Sequence, residues 1–196
     1  MNFKTRNTLT VGLTGGILCG KSTALRAWHQ AGAFVLSCDE LVREISARPL
    51  VQKKIQVLLG STDRAAQARQ VFTQTQTRRK LEQLLHPLVE KEIACRLKSA
   101  KACVRVIEVP LLFEAGWQDK FDLTIALVAP QKTLAARAKK RGLTQTDLLK
   151  RRKVQFSQEQ KAAFADICII NDRSTKELVV KVKALQHALS KIYNVK

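Results

Sequence analysis

The chain has 196 residues, of which 45% are hydrophobic and 26% charged, a composition typical of a folded domain and unlike that of a disordered tail or a collagen-like rod. Lysine and arginine number 35 against 16 acidic residues, a formal net charge of +19, which favours anionic partners such as nucleotides, nucleic acid or an acidic membrane surface. No apolar run approaches the roughly 18 residues of a membrane span, and the first residues lack a secretory signal, so we expect a cytoplasmic protein with no membrane segment.

Short apolar runs alternate with helical patterns along the chain. The runs that predict strands are residues 9–13, 34–36, 104–109, 123–128 and 167–170. The clearest helical patterns are residues 21–31, which end before Gly32, and residues 175–192. Buried strands that alternate with helices predict an α/β fold with a mostly parallel sheet flanked by helices on both faces.

Two helical regions interrupt this alternation. Residues 40–102 are dominated by helical patterns and predict a helical insertion, in which Pro87 is expected to kink or break a long helix. A second helical stretch covers residues 131–160. The remaining segments, 1–39, 103–130 and 161–196, would form the sheet and its covering helices.

The five cysteines and three histidines predict no metal site. The cysteines form no C-x-x-C pair, and their odd number suits reduced thiols in a cytosol rather than a disulfide framework. The histidines have no metal-ligand spacing, so for each one alone we favour a packing or surface role.

The segment between the first predicted strand and the first predicted helix fits the phosphate-binding loop pattern G-x-x-x-x-G-K-[ST]. Its residues are Gly15, Gly16, Ile17, Leu18, Cys19, Gly20, Lys21 and Ser22, followed by Thr23. The glycines let the backbone turn its N–H groups toward phosphate oxygens, and the following helix adds its positive N-terminus. Lys21 can reach the β- and γ-phosphates, and the Ser22 hydroxyl can ligate Mg²⁺. The loop predicts a nucleoside triphosphate site and leaves the phosphoryl acceptor open.

Asp39 lies just beyond the second predicted strand. Ligands of an open parallel sheet bind outside the carboxyl ends of the strands, which is where Asp39 would lie. A carboxylate there can orient a hydroxyl nucleophile and accept its proton. Ser37, Cys38 and Asp39 also precede a helical stretch, so capping that helix is an equally good interpretation.

Other charged residues have more than one interpretation. Glu108 lies near the end of the third predicted strand and Glu114 follows that strand. Either could help to organise Mg²⁺ or serve as a surface charge or helix cap. Arg137 and Arg141 are four residues apart on a predicted helix. They would therefore share a face and could bring guanidinium groups to a transferring phosphoryl.

Several motifs together resemble the dephospho-coenzyme A kinase family. The family's GLTGGIGSGKST-like loop corresponds to residues 12–23, and its V-I-D-A-D-x-x-A-R-like segment to residues 35–43. The D-R-x-x-L-x-x-x-V-F stretch appears at residues 63–72, L-E-x-x-x-H-P at 81–87, P-L-L-F-E at 110–114 and A-D-x-x-I-x-N at 165–171. The Q-x-x-R-x-x-x-R pattern resembles Gln131, Arg137 and Arg141 with looser spacing. The resemblance extends from residue 9 to about residue 185.

The resemblance implies ATP-dependent phosphorylation of the ribose 3′-hydroxyl of dephospho-coenzyme A, with Mg²⁺, as the last step of coenzyme A synthesis. It implies a nucleotide-binding core at 1–39, 103–130 and 161–196, an acceptor domain at 40–102 and a lid at 131–160. The implied catalytic residues are Asp39 as the base, Lys21 and Arg141. The implied acceptor-binding residues are Asp39, Arg43, Arg64, His86, Pro110 and Leu111. Arg137 and Arg141 would bind ATP phosphates, and Asn171 would lie near the adenine.

The chain departs from the family pattern in its acceptor motifs. Ser37 replaces the first aspartate of the D-A-D segment, and the stretch between Leu50 and Asp63 is shorter than usual. These departures motivate a second hypothesis, a related kinase that acts on another nucleoside or nucleotide. The charge motivates a third, an NTP-dependent nucleic-acid-binding protein, although the aromatic content of 5% and the lack of a base-stacking motif argue against it.

Overall fold

The computed structural model describes residues 2–4, 7–144 and 155–194. The strands are β1 (Leu9–Gly15), β2 (Phe34–Ser37), β3 (Val104–Glu108), β4 (Leu123–Val128) and β5 (Ile167–Ile170). The α-helices of the described residues are α1 (Lys21–Gln30), α2 (Cys38–Ser46), α3 (Pro49–Leu59), α4 (Arg64–Thr73), α5 (Thr75–Ser99), α6 (Gln131–Lys140), α7 (Gln158–Phe164) and α8 (Thr175–Asn194). Residues 145–154 of the helical stretch expected at 131–160 lie outside this description.

The five strands form one sheet in the order β2-β3-β1-β4-β5, and every neighbouring pair is parallel. Val11 of the central strand lies opposite Val106 on one side and Leu123 on the other. The predicted α/β fold with a parallel sheet is thereby confirmed. Since β1 is central, the loop that follows it lies at the middle of the edge where ligands of such sheets bind.

Alternate residues of β1 face two different layers, as the pleat of a strand requires. Leu9, Val11 and Leu13 belong to the main hydrophobic core. Helices α1 and α8 supply much of the rest of this core, through Ala24, Ala27, Trp28, Leu178, Val182 and Leu189. On the other face, a Cβ at Gly12 would lie 2.6 Å from the Leu112 side chain. Both faces of the central strand are therefore covered, and its carboxyl end is held firmly.

The chain divides into two compact units, one formed by residues 38–98 and the other by residues 2–37 and those from 99 onward. The first unit contains helices α2 to α5, whose buried residues recur at helical spacing. They include Leu41, Ile45, Val51, Ile55, Leu59, Leu85, Val89, Ile93 and Leu97. Helix α5 continues through Pro87 over 25 residues, so the proline does not break this helix, and the kink that the sequence offers as the alternative stays a prediction. Buried contacts on both sides of Pro87 outweigh the one missing backbone hydrogen bond.

No helix of the described residues has the length and apolar character needed to cross a membrane. All five cysteines are free thiols.

Candidate active site

The loop between β1 and α1 has a backbone that requires glycine at both ends. Gly15 has φ +152°, and a Cβ there would lie 2.3 Å from the carbonyl oxygen of Leu127. Gly20 has φ +102°, and a Cβ there would lie 2.5 Å from Nδ2 of Asn171. L-residues with side chains rarely adopt these conformations. The two glycines of the motif therefore allow the backbone to turn and also allow Leu127 and Asn171 to pack closely against it.

Side chains from three separate parts of the chain hold the carbonyl groups of this loop. The ammonium of Lys21 donates to the carbonyl oxygens of Gly15 and Gly16, at 2.9 and 3.1 Å. Arg137 of α6 donates to the carbonyl of Leu18 at 2.9 Å, and Asn171, just after β5, donates to that of Cys19 at 2.8 Å. With these carbonyls turned toward donors, the loop can direct N–H groups toward an anion.

Gln158, the first residue of α7, supports the loop from another direction. Its side-chain amide exchanges two hydrogen bonds with the backbone of Ala129, which follows β4, at 2.8 and 3.0 Å. The same amide oxygen accepts a bond from the Cys19 thiol at 2.9 Å. Burial raises the pKa of Cys19, despite the nearby charges of Lys21 and Arg137. Cys19 is therefore a neutral hydrogen-bond donor in this loop rather than a reactive thiolate.

A cavity of about 360 Å³ opens beside the loop within the sheet-containing unit. Its lining includes Leu18, Gly20, Thr23, Arg137, Arg141 and Asn171. Arg137 is half-buried, whereas Arg141 at the end of α6 is exposed. Arg137, within α6, and Arg141, the residue that ends it, thus both line the cavity beside the phosphate loop.

Ser22 lies in the first turn of α1 and is exposed. Among the residues of the structural description, no cluster of three or more His, Cys, Asp or Glu could hold a metal ion. The Ser22 hydroxyl alone could not hold Mg²⁺. It fits the ion only in its usual nucleotide-bound form, in which phosphates and waters supply most of the ligands and one protein hydroxyl completes the shell. The exposed Ser22 hydroxyl beside Lys21 meets that requirement.

Glu108, the last residue of β3, and Glu114, in the loop that follows, both have partners within the protein. Glu108 is buried and accepts a hydrogen bond from the Ser37 hydroxyl at 2.9 Å. Glu114 pairs with Lys161, whose side chain is fully buried, at 2.8 Å. Neither glutamate is a surface charge, and both have protein partners. A serine at position 37 suits its site, since a second carboxylate beside Glu108 would repel it.

The candidate acceptor residues Asp39, Arg43, Arg64 and His86 all belong to the helical unit. Asp39 is the second residue of α2 and is exposed, so it lies inside the first turn and the interpretation as the helix cap is wrong. Arg43 is exposed one turn further along α2, and His86 is half-buried in α5. Arg64 begins α4, and its side chain lies outside the described part. Pro110 and Leu111 belong to the sheet-containing unit, where the carbonyl of Pro110 accepts bonds from Thr14 and Lys161.

Comparison with known proteins identifies the family. The family model CoaE, dephospho-CoA kinase, matches residues 9–177. The dephospho-CoA kinase of Aquifex aeolicus (strain VF5) is 32% identical over 191 residues, which cover 92% of this chain and 97% of that protein. That of Cutibacterium acnes is 36% identical over 174 residues, or 81% of this chain and 75% of that protein. The chain belongs to the dephospho-CoA kinase family.

Solved structures agree with this assignment. The crystal structure of TT1252 from Thermus thermophilus is 30% identical, covers 93% of this chain and 98% of its own, and superposes with a TM-score of 0.82. The dephospho-CoA kinase from Campylobacter jejuni, at 23% identity, superposes over 94% of this chain and 99% of its own with a TM-score of 0.59. A shikimate kinase from Acinetobacter baumannii, at 17% identity and 94% coverage of both chains, reaches 0.53. The last two show the fold alone, an α/β fold shared with other P-loop kinases. Dephospho-CoA kinase activity places the chain in coenzyme A biosynthesis.

The sequence did not predict the role of three residues that support the phosphate loop of this kinase. They are Thr14, Gln158 and Lys161. Ser157 and Gln160 form a capping box that could have located the start of α7. No comparable signal exists for Lys161, because a lysine in a short helix ordinarily indicates a solvent-exposed face.

Proposed function

We propose that the chain transfers the γ-phosphoryl group of ATP to the ribose 3′-hydroxyl of dephospho-coenzyme A. The observation that carries this proposal is the phosphate loop, whose carbonyl groups are bonded to Lys21, Arg137 and Asn171. In a member of this kinase family, such a loop holds the triphosphate before the acceptor reacts. Positioning and charge stabilisation supply most of the catalysis in phosphoryl transfer.

On the nucleotide side, the loop from Gly15 to Thr23 binds the triphosphate, with Lys21 at the β- and γ-phosphates. Arg137 and Arg141 border the cavity beside the loop, and we assign them to the ATP phosphates, with Arg141 at the transferring group. Asn171 lies at the same cavity, where it holds Cys19 and would border the adenine. The segment 131–160, which carries α6, is proposed as the lid.

Ser22 is the residue that would hold Mg²⁺, together with the ATP phosphates. When bound, the ion supplies neutralisation of charge on the β- and γ-phosphate oxygens. Lys21, Arg137 and Arg141 add fixed positive charge at the same phosphates. These protein groups therefore act on the charge that develops as the phosphoryl group moves.

On the acceptor side, Asp39 is proposed as the general base. It follows the last residue of β2 by two positions, and its carboxylate is exposed and can accept the proton of the 3′-hydroxyl. The 3′-oxygen then forms the bond to the γ-phosphorus as the bond to the bridging oxygen of ADP breaks. We assign Arg43, Arg64, His86, Pro110 and Leu111 to acceptor binding, and residues 40–102 to an acceptor domain.

The five free thiols suit a reducing compartment. We accordingly place the reaction in the cytoplasm, where ATP is also abundant.

The test is ADP release from Mg²⁺-ATP with and without dephospho-coenzyme A, with coenzyme A detected by mass. We expect acceptor-dependent release and one coenzyme A per ADP. Lys21→Met should lower the rate by roughly 100- to 1,000-fold, the usual cost of one lost charge-stabilising donor. Lys183→Met, on an exposed position of α8, is the matched control and should keep the wild-type rate. ADP release without coenzyme A would move the acceptor to another nucleoside or nucleotide.

A further inference from the structure

Lys161 is the one lysine among the described residues whose side chain is fully buried. It lies in α7 and donates to Thr14, which alternates along β1 with the core residue Leu13 and so faces the other side of the sheet. Lysine is almost never buried in this way unless its ammonium is paired. Its position therefore requires an explanation from its contacts.

The Lys161 ammonium has three polar partners, one for each of its N–H donors. It pairs with the Glu114 carboxylate at 2.8 Å. It also donates to the carbonyl oxygen of Pro110 at 2.7 Å and to Oγ1 of Thr14 at 3.3 Å. Thr14 in turn donates its hydroxyl to the same Pro110 carbonyl at 3.2 Å. One cation thus fixes the end of β1 to the loop that follows β3.

These partners are next to residues assigned to the reaction. Thr14 immediately precedes Gly15, the first glycine of the phosphate loop. Pro110 is itself assigned to acceptor binding, with Leu111 next to it. Glu114 also accepts a hydrogen bond from the backbone N–H of Phe156 at 2.6 Å, within the proposed lid segment. The ion pair therefore contacts the residue that precedes the phosphate loop, the loop that contains Pro110, and the proposed lid segment.

Stability alone does not explain the pair. Burial lowers the pKa of Lys161 and the charge of Lys21 lowers it further, so that the pKa lies below its ordinary value although the Glu114 carboxylate raises it. Removing two charges from water is costly, and apolar residues of the same volume often stabilise a core as well or better. What a fully bonded ammonium provides, and an apolar side chain does not, is a fixed position for three oxygen atoms.

We propose that Lys161, through its pair with Glu114, is a positioning residue that holds the phosphate loop and the Pro110 loop in the geometry required for phosphoryl transfer. The inference deepens the proposed function and rests on it. Lys161 touches neither substrate in this account, and it acts through Thr14, Pro110 and Glu114.

The test compares Lys161→Met, Lys161→Arg and the double variant Lys161→Met/Glu114→Gln with the wild type. Lys161→Met leaves the Glu114 carboxylate buried without its partner, so we expect a lower melting temperature as well as a lower kcat. The double variant removes both charges, while the amide oxygen that Glu114→Gln introduces can still accept the bond from the N–H of Phe156. Its melting temperature should therefore return close to that of the wild type. Lys183→Met is again the surface control.

A positioning role and a purely stabilising role of Lys161 predict different values of kcat for the double variant. If Lys161 positions the loops, kcat stays about 100-fold below wild type even though the fold is restored, the usual cost of a small misplacement of reacting groups. Lys161→Arg keeps the cation but places a longer, planar group in the same buried site, so it should recover only part of the kcat lost in Lys161→Met. Recovery of both kcat and melting temperature in the double variant would overturn the proposal, as would a wild-type kcat in Lys161→Met.

Binding of a non-hydrolysable ATP analogue, measured by calorimetry, separates this inference from the proposed function. We expect the double variant to bind the analogue about tenfold more weakly than the wild type, because the loop end at Thr14 is no longer fixed. If the wild type made no coenzyme A, the proposed function would fail, and the analogue would still test the loop. Equal affinity in the double variant and the wild type would overturn the inference by itself.

Discussion

The phosphate loop and the first helix of the helical unit place their functional groups in opposite ways. In the loop, Lys21, Arg137 and Asn171 are already hydrogen-bonded to backbone carbonyls, and Gly15 and Gly20 leave no space for a side chain. In α2, Asp39 and Arg43 are exposed, and their side chains have no hydrogen bond to a described residue of their unit. The candidate nucleotide site is built by the fold, whereas the groups proposed for the acceptor are carried on a surface.

The helical unit does use charged residues for its own structure, but different ones. Arg48 and Arg96 both pair with Glu92, at 2.6 and 3.0 Å, and Arg96 also pairs with Glu44. These bonds lower the pKa of Glu92 below its ordinary value. Asp39 and Arg43 lie outside this network, so each can bind a ligand without breaking a hydrogen bond within the helical unit. We therefore expect changes at the loop to affect folding and ATP binding together, and changes at α2 to affect the reaction alone.

The largest expected effect of this kind comes from Asp39→Asn. The variant keeps the shape of the side chain but cannot accept a proton, so kcat should fall by roughly 100- to 10,000-fold, the contribution of a general base. The melting temperature should not change, since Asp39 is exposed. Steady-state kinetics and a thermal melt measure both. Glu40→Gln, the exposed neighbour on α2, is the matched control, and a near-normal rate in Asp39→Asn would remove Asp39 from the mechanism.

Arg43→Ala should affect the acceptor and leave ATP unaffected. A charge-assisted hydrogen bond to a phosphate is worth about 1.5–3 kcal/mol, so the KM for dephospho-coenzyme A should rise by roughly 10- to 100-fold. The KM for ATP should stay within about twofold. Lys53→Ala removes an exposed cation from the same unit and should change neither constant. A parallel rise in both KM values would contradict the assignment of Arg43 to the acceptor alone.

Features with a local sequence signal could be predicted, whereas features that depend on contacts between distant residues could not. The sheet and the loop were predictable because both have strong local signals, a short apolar strand followed by a glycine pattern of fixed spacing. β4 and β5 have the predicted bounds, and β1 begins at the predicted residue but ends two residues later, at Gly15. The support of the loop was not predictable, because Gln158 and Lys161 reach it from α7, more than a hundred residues away. The continuation of α5 through Pro87 was not predictable for a related reason, since buried contacts along this helix outweigh the local tendency of proline to end it.

Gly20→Ala tests how tightly the loop is fitted. A left-handed conformation costs an L-residue roughly 1–2 kcal/mol, and the new methyl group would also displace Asn171, whose Nδ2 atom is 2.5 Å away. We expect a lower free energy of unfolding and a KM for ATP raised about tenfold, since the hydrogen bond from Asn171 to Cys19 is lost. Gly32→Ala is the matched control: its φ is +92° with nothing within 4 Å. It should show the conformational cost alone, with an unchanged KM, and equal effects of the two variants would mean that the contact with Asn171 has no role.

The smallest expected effect concerns a carboxylate that joins two strands away from the loop. Asp166 accepts hydrogen bonds from the backbone N–H and the hydroxyl of Thr124, both at 2.7 Å, and these bonds lower the pKa of Asp166 below its ordinary value of 3.8. The ionised form is favoured in the folded state, so its stabilisation is complete above pH 3.8 and is lost as the pH falls through the lower, folded-state pKa. Asp166→Asn should cost about 1 kcal/mol or less at pH 7, because water competes for this exposed group.

Urea unfolding of Asp166→Asn and wild type between pH 7 and pH 3 measures this effect. The difference in unfolding free energy should shrink toward acid pH, since protonation removes from the wild type what the substitution has already removed from the variant. Asp119→Asn, at an exposed position, should match the wild type at every pH. A difference that stayed constant down to pH 3 would assign the role of Asp166 to its shape and hydrogen-bond geometry rather than to its charge. In that case the pairing of β4 with β5 would not depend on ionisation, and the charge-dependent contacts of the sheet-containing unit would be concentrated at the phosphate loop.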